Sequence, residues 1–108
     1  MANPFDTYTP TETKHHIKAF NSEVTLKTLS LNDSMRVDSI LYKEGFDDGK
    51  PNITIDAIAE SKLLRVSLAL VTPKMSVKEL KALPKEAMAA IDEIADLLIV
   101  KVDDEGND

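Results

Sequence analysis

Cysteine is absent from this sequence, and with it any disulfide framework or thiolate metal site. The composition fits a reducing compartment. Glycine occurs only at positions 45, 49 and 106, which leaves no glycine-rich loop to cradle a phosphate. No run approaches the ~20 consecutive apolar residues of a membrane-spanning helix, so no transmembrane segment is expected. The opening stretch, MANPFDTYTPTETKHH, has no apolar run behind a basic region and predicts no signal peptide. Cations are outnumbered too: 13 lysines and arginines face 19 acids, and a formal charge of -6 argues against nucleic acid, whose phosphates demand basic surface. At 108 residues the chain makes about one domain with one modest core.

The apolar residues and the start and stop signals concentrate between Leu63 and Val102. Pro73 ends one apolar segment, because proline disfavours helical geometry in the residue before it and has no N–H to donate. Ser76 followed by Glu79 has the spacing of a capping box, with Leu80 and Leu83 as the apolar side of the short helix it opens. Pro84 suits the first position of a further helix. In that last helix Met88, Ile91, Ala95, Leu98 and Val102 recur at spacings of three and four and form one apolar stripe, with Glu86, Asp92, Glu93 and Asp96 largely off it. Leu97, Ile99 and Val100 widen the apolar surface beyond what one neighbouring helix covers. This end is therefore either sandwiched in the core or in contact with another chain, which leaves self-association open.

Before this stretch the signals are weaker. Residues 1–21 show no periodicity and read as a poorly ordered tail, from which Phe5, Tyr8 and Phe20 either dock on the domain or touch a partner. Residues 22–102 form a single helical domain and 103–108 an acidic tail. Alternation at Val24 and Leu26 predicts a short strand over Glu23 to Leu29, which needs a partner from the segment around Ile17 to Phe20 or from another molecule. Ser30 and Asn32 are N-cap candidates for a helix through Met35, Val37, Ile40, Leu41 and Tyr42. Phe46 to Asn52 is a loop by its glycine and proline. Ile53 to Val71 is expected as the central helix, although Val66, Leu68 and Leu70 also alternate as a strand would, so residues 63–71 stay open between the two. The sum is an all-α fold of about four helices, with one short N-terminal strand or hairpin at most.

No catalytic constellation is legible, so no enzyme and no cofactor are expected. His15 and His16 are adjacent, their side chains diverge, and nothing completes a metal set. Glu44, Asp47 and Asp48 lack the spaced ligand series of a calcium loop. Charge is unevenly spread: between Lys62 and Lys85 six cations face Glu79 alone, whereas from Glu86 onward eight acids face Lys101. These are solvated helix faces with some mutual attraction, or a docking surface for an acidic helix.

Val71-Thr72-Pro73-Lys74, Met75-Ser76, Glu79-Leu80 and Leu83-Pro84 before a closing helix, together with Val24 to Ser30 before an earlier one, resemble the tail assembly chaperones of long-tailed bacteriophages and prophages. The resemblance covers roughly Glu23 to Leu98. It implies a mostly helical protein of the bacterial host's cytoplasm, absent from the finished virion, that binds the tape measure protein and helps recruit tail tube protein. Members of that family are often also made in a longer, frameshifted form. Periodicity and charge make Leu97, Ile99 and Val100, with Lys74, Lys78 and Lys81, the candidate partner contacts. The rival readings are a structural tail or adaptor component, and a helix-turn-helix regulator over Ser76 to Leu97.

Overall fold

The computed structural model describes residues 3–99. After a 3-10 turn at Pro4–Thr7, strands β1 (Glu12–Ile17) and β2 (Ser22–Lys27) run antiparallel, joined by a second 3-10 turn at Lys18–Phe20. Helix α1 (Leu31–Leu41) leads to a small hairpin of β3 (Phe46–Asp47) and β4 (Lys50–Pro51). Helix α2 (Ile55–Ala69) passes directly into β5 (Leu70–Thr72), which pairs antiparallel with β2 and completes a sheet of order β1-β2-β5. Helix α3 (Val77–Lys81) and a third 3-10 turn at Lys85–Ala87 lead into α4 (Met88–Leu98). Among the described residues no helix is long and apolar enough to cross a membrane.

The all-α expectation is therefore corrected: a three-stranded antiparallel sheet and a two-stranded hairpin make the architecture mixed. Three features hid the strands. In β1 only Ile17 is apolar, because the strand lies at the sheet edge and its outer-face residues Glu12, Lys14 and His16 are exposed. β5 continues the apolar run of α2 without a break, so the two periods merge; residues 63–71 are helix to Ala69 and strand from Leu70. The loop expected over Phe46 to Asn52 contains the β3–β4 turn, with Asp48 and Gly49 both at positive φ (54° and 79°), as a two-residue Asp-Gly hairpin turn requires. The segment 1–21, expected as a poorly ordered tail, contains β1, which supplies the partner that the β2 strand needed.

Elsewhere the local signals match the elements. Ser30 Oγ accepts the Asp33 N–H at 3.0 Å and starts α1, Thr54 Oγ1 accepts the Ala57 N–H at 3.1 Å and starts α2, and the capping box of Ser76 and Glu79 is complete. Val24 and Leu26 are buried two apart on one sheet face, opposite His15 and Thr13 of β1, and with Ile17 they pack on Val66, Ile91 and Ile94. Between Thr25 and Leu26 the β2–β5 register steps over Val71, which bends β5 where it leaves the helix. Of the expected α4 stripe, Ile91 and Ala95 are buried and Leu98 is partly so, Met88 is exposed, and Val102 lies outside the described residues, as does the expected acidic tail 103–108. The structure adds Ala90 and Ile94 to the buried side.

Ile17 is fully buried, so Ile17→Ala is expected to lower the unfolding free energy by about 2–5 kcal/mol. Lys14→Ala, on the exposed outer face of the same strand, should change it by under about 0.5 kcal/mol. Urea unfolding of both variants checks this; equal, negligible effects would remove β1 from the folded unit.

Candidate functional site

The 3-10 turn at Lys18–Phe20 begins with backbone N–H groups that no residue of its own segment caps. Glu93, on α4, does so instead: its Oε2 accepts the Lys18 N–H at 2.8 Å and its Oε1 the Ala19 N–H at 3.1 Å. The Lys18 N–H is the main cause of a carboxyl held below its ordinary value of 4.5; desolvation opposes it, while the Ala19 N–H and the charges of Lys18 and His16 reinforce it. The turn is closed by Asn21 in the left-handed region, at φ 50°. The hairpin tip is thus fastened to α4 with Phe20 held over it.

A second fastening shapes the opposite wall. Ser67, buried on α2, donates its Oγ proton to the Met75 carbonyl at 2.7 Å, which fixes the corner after Pro73. The capping box then turns the chain into α3, whose Leu80 points into the core. Pro84 occupies the N-cap of the 3-10 turn that precedes α4 instead of the first helical position.

Between these walls runs an open groove of about 430 Å³. Val66, Ala90 and Ile94 belong to its buried floor, and Phe20, Met75 and Leu83 are among the residues of its sides. Phe20 is 47% exposed, a large aromatic surface left at the edge of an apolar trough. Glu86 is the one ionisable residue among the described lining. Lys18, Lys74 and Lys85 each adjoin a lining residue in the chain, are exposed, and form no ion pair among the described residues. Such a site offers apolar contact within and a rim of mixed charge, since Glu79 and Glu93 adjoin lining residues as the lysines do. It presents no nucleophile, and among the described residues no group of three or more His, Asp or Glu could hold a metal.

The candidate contacts divide between two places. Lys74 and Lys78 are exposed near the groove's α3 wall, whereas Lys81 is paired with Glu60 at 2.7 Å and bridges α3 to α2. Leu97, 46% exposed, lines a separate, more polar cavity with His15, Leu26 and Arg65. Ile99, at the C-cap of α4, is 52% exposed, and Val100 lies outside the described residues. The lysines and the Leu97 group do not share one cavity. Among the described residues the attraction expected between the basic and acidic stretches takes the form of one close pair, Lys62 with Asp92 at 2.7 Å, which is partly exposed and so of the kind that contributes about 1 kcal/mol or less. The sequence pointed to Phe20 as docking on the domain or touching a partner and to Leu80 and Leu83 as the apolar side of a short helix, but joined none of them in a groove and gave Met75, Ala87 and Ala90 no such role; alanines at helical spacing beside a stripe give no signal of which side a groove will open.

Because the folded Glu93 carboxyl titrates below 4.5, its stabilising contribution is present above that pH and is lost as pH falls through the lowered value. Glu93→Gln should melt below the wild type at neutral pH, with the difference shrinking as the solution is acidified past 4.5. Melting temperatures across a pH series test this; parallel curves for the two proteins would detach the carboxylate from the turn. No family model, no curated protein and no solved structure matches the chain, so the groove, its rim and the sequence pattern are what carry a function.

Proposed function

We propose that the chain is a non-enzymatic tail assembly chaperone of a long-tailed bacteriophage or prophage, working in the host cytoplasm, that binds the tape measure protein and helps recruit tail tube subunits without remaining in the virion. The observation that carries the reading is the open apolar groove between the hairpin tip, α3 and the first half of α4. Of the residues on which the sequence resembles that family, Val24, Pro73, Met75, Leu80 and Leu83 line the groove. A long helix with bare apolar stripes aggregates, and a groove of this kind takes one turn or two of such a stripe through anchors spaced three and four apart. Lys74, Lys78 and Lys85 on its approaches would steer an acidic helix and set its direction more than its affinity. Glu86 discriminates against an anion placed over the α4 end.

Co-expression with the long helical protein encoded just downstream is the test, scored by whether that partner becomes soluble and co-purifies. Phe20→Ser with Leu83→Ser, both on the groove's open side, should weaken the complex about tenfold or more, roughly 1.4 kcal/mol. Lys74→Glu with Lys78→Glu should weaken it severalfold, with the loss fading at high salt. A folded chain that leaves the partner insoluble, or one found in purified particles, would replace the chaperone reading with that of a structural component. Loss of binding from Leu97→Ala with Ile99→Ala, and none from the groove variants, would move the site to the end of α4.

A further inference from the structure

The cavity between the edge strand β1 and the end of α4 differs in kind from the groove. It measures about 390 Å³, within the range of small-molecule sites. Thr13 and His15 line it from β1, Ser34 from α1, Arg65 from α2, and Leu97 with Leu98 from the last turn of α4. Its described lining holds His15, Lys27 and Arg65 and no carboxylate, in a chain of formal charge -6.

Arg65 is the most telling of these groups. It is half-buried and forms no ion pair among the described residues. A guanidinium that has given up part of its hydration gains most from an anion placed against its fork of N–H donors. Thr13 and His15 share the sheet face of the buried Leu26 and Val24, and the Thr13 hydroxyl lies 2.8 Å from His15 Nε2. With Nε2 as the donor in that contact, the Thr13 hydroxyl keeps its own proton for a ligand. Lys27 stands opposite Glu12 in the β1–β2 register and is the weaker contributor.

Three acids adjoin lining residues in the chain, and their places decide how an anion would lie. Glu12 belongs to the outer face of the sheet, and Asp33 is paired with Arg36 at 3.7 Å. Asp96 is exposed one residue before Leu97. Together with the carbonyl end of α4, which carries partial negative charge, it makes that wall unfavourable for an anion and leaves the two leucines for an apolar group.

We propose that this cavity binds a small phosphate monoester, with the phosphate on Arg65 and the Thr13 hydroxyl beside His15, and a short apolar body on Leu97 and Leu98. A phosphate monoester brings three terminal oxygens and about two negative charges, which a guanidinium fork and a hydroxyl engage more fully than they do the two oxygens of a carboxylate. The cavity shares no lining residue with the groove, so its ligand is independent of whatever helix the groove takes.

Amide chemical shifts of the isotope-labelled full chain, followed during titration with butyl phosphate at constant ionic strength, test the proposal. Saturable changes are expected at Thr13, His15, Arg65 and Leu97, and none at Phe20 or Leu83 in the groove. Inorganic phosphate should bind severalfold more weakly because it lacks the apolar body, and butyrate more weakly than butyl phosphate because it offers fewer oxygens. Arg65→Gln should raise the dissociation constant about tenfold or more. Leu97→Ala should raise it for butyl phosphate and leave inorganic phosphate unchanged. The amide spectrum itself verifies that each variant is folded; should Arg65→Gln not fold, Thr13→Val, at an exposed strand position, should weaken binding severalfold. Absence of saturable changes in the wild type, changes that neither Arg65→Gln nor Thr13→Val diminishes, or butyrate binding as tightly as butyl phosphate would each overturn the site. Inorganic phosphate acting no differently from chloride would mean an adventitious ion only, and would overturn it too.

Discussion

Two hydrogen bonds accepted by one carboxylate join the first third of this chain to the last. Glu93 takes the N–H groups of Lys18 and Ala19, and through them the tip of the β1–β2 hairpin is tied to α4. Everything around the groove follows from that attachment. It places Phe20 over the α4 surface and holds the inner face of the sheet, with Ile17, Val24 and Leu26, against Val66, Ile91 and Ile94. A carboxylate at the start of a helical turn meets N–H groups with no other protein partner, so the geometry that orders the turn is also what keeps the acid ionised.

The opposite wall depends on a quieter constraint. The chain must leave α2, make three residues of strand beside β2, and turn back into α3 within a few residues. Ser67 meets that demand by giving its hydroxyl proton to the Met75 carbonyl, which would otherwise face a half-buried corner unpaired. Among the described residues no buried side-chain polar atom lacks a partner. The groove is therefore bounded by satisfied polar groups and floored by apolar ones, a surface open to water because α3, at five residues, is too short to close over the start of α4.

Capping chemistry and helical periodicity were the legible parts of the sequence. Ser30, Ser76 with Glu79, and the run from Met88 to Leu98 announce their elements through local hydrogen bonds and spacing, which neighbours cannot hide. Of the sheet only β2 was legible, through Val24 and Leu26, since β1 is an edge strand with a single apolar residue and β5 borrows its apolar residues from the helix before it. Asp48-Gly49 did carry a hairpin signal, but flanked by two-residue strands it looks the same as a loop. The groove lay beyond sequence reasoning for a different reason. Its walls come from four separate segments, and the link between two of them is made by Glu93, a residue that on its own helix looks like solvated charge.

Helix α1, the β3–β4 hairpin and the first half of α2 are held less firmly than the rest of the described fold. Val37 and Ala57 are the buried apolar residues between α1 and the first half of α2, whereas the sheet, α4 and the second half of α2 share a contiguous core. Local opening follows apolar burial, and segments with little of it exchange their amide hydrogens without global unfolding. Among the described elements, α1, the β3–β4 hairpin and the first half of α2 thus form the cooperative unit that opens first, and the exposed apolar surface around Phe46 and Ile55 can dissolve and re-form while the groove stays intact.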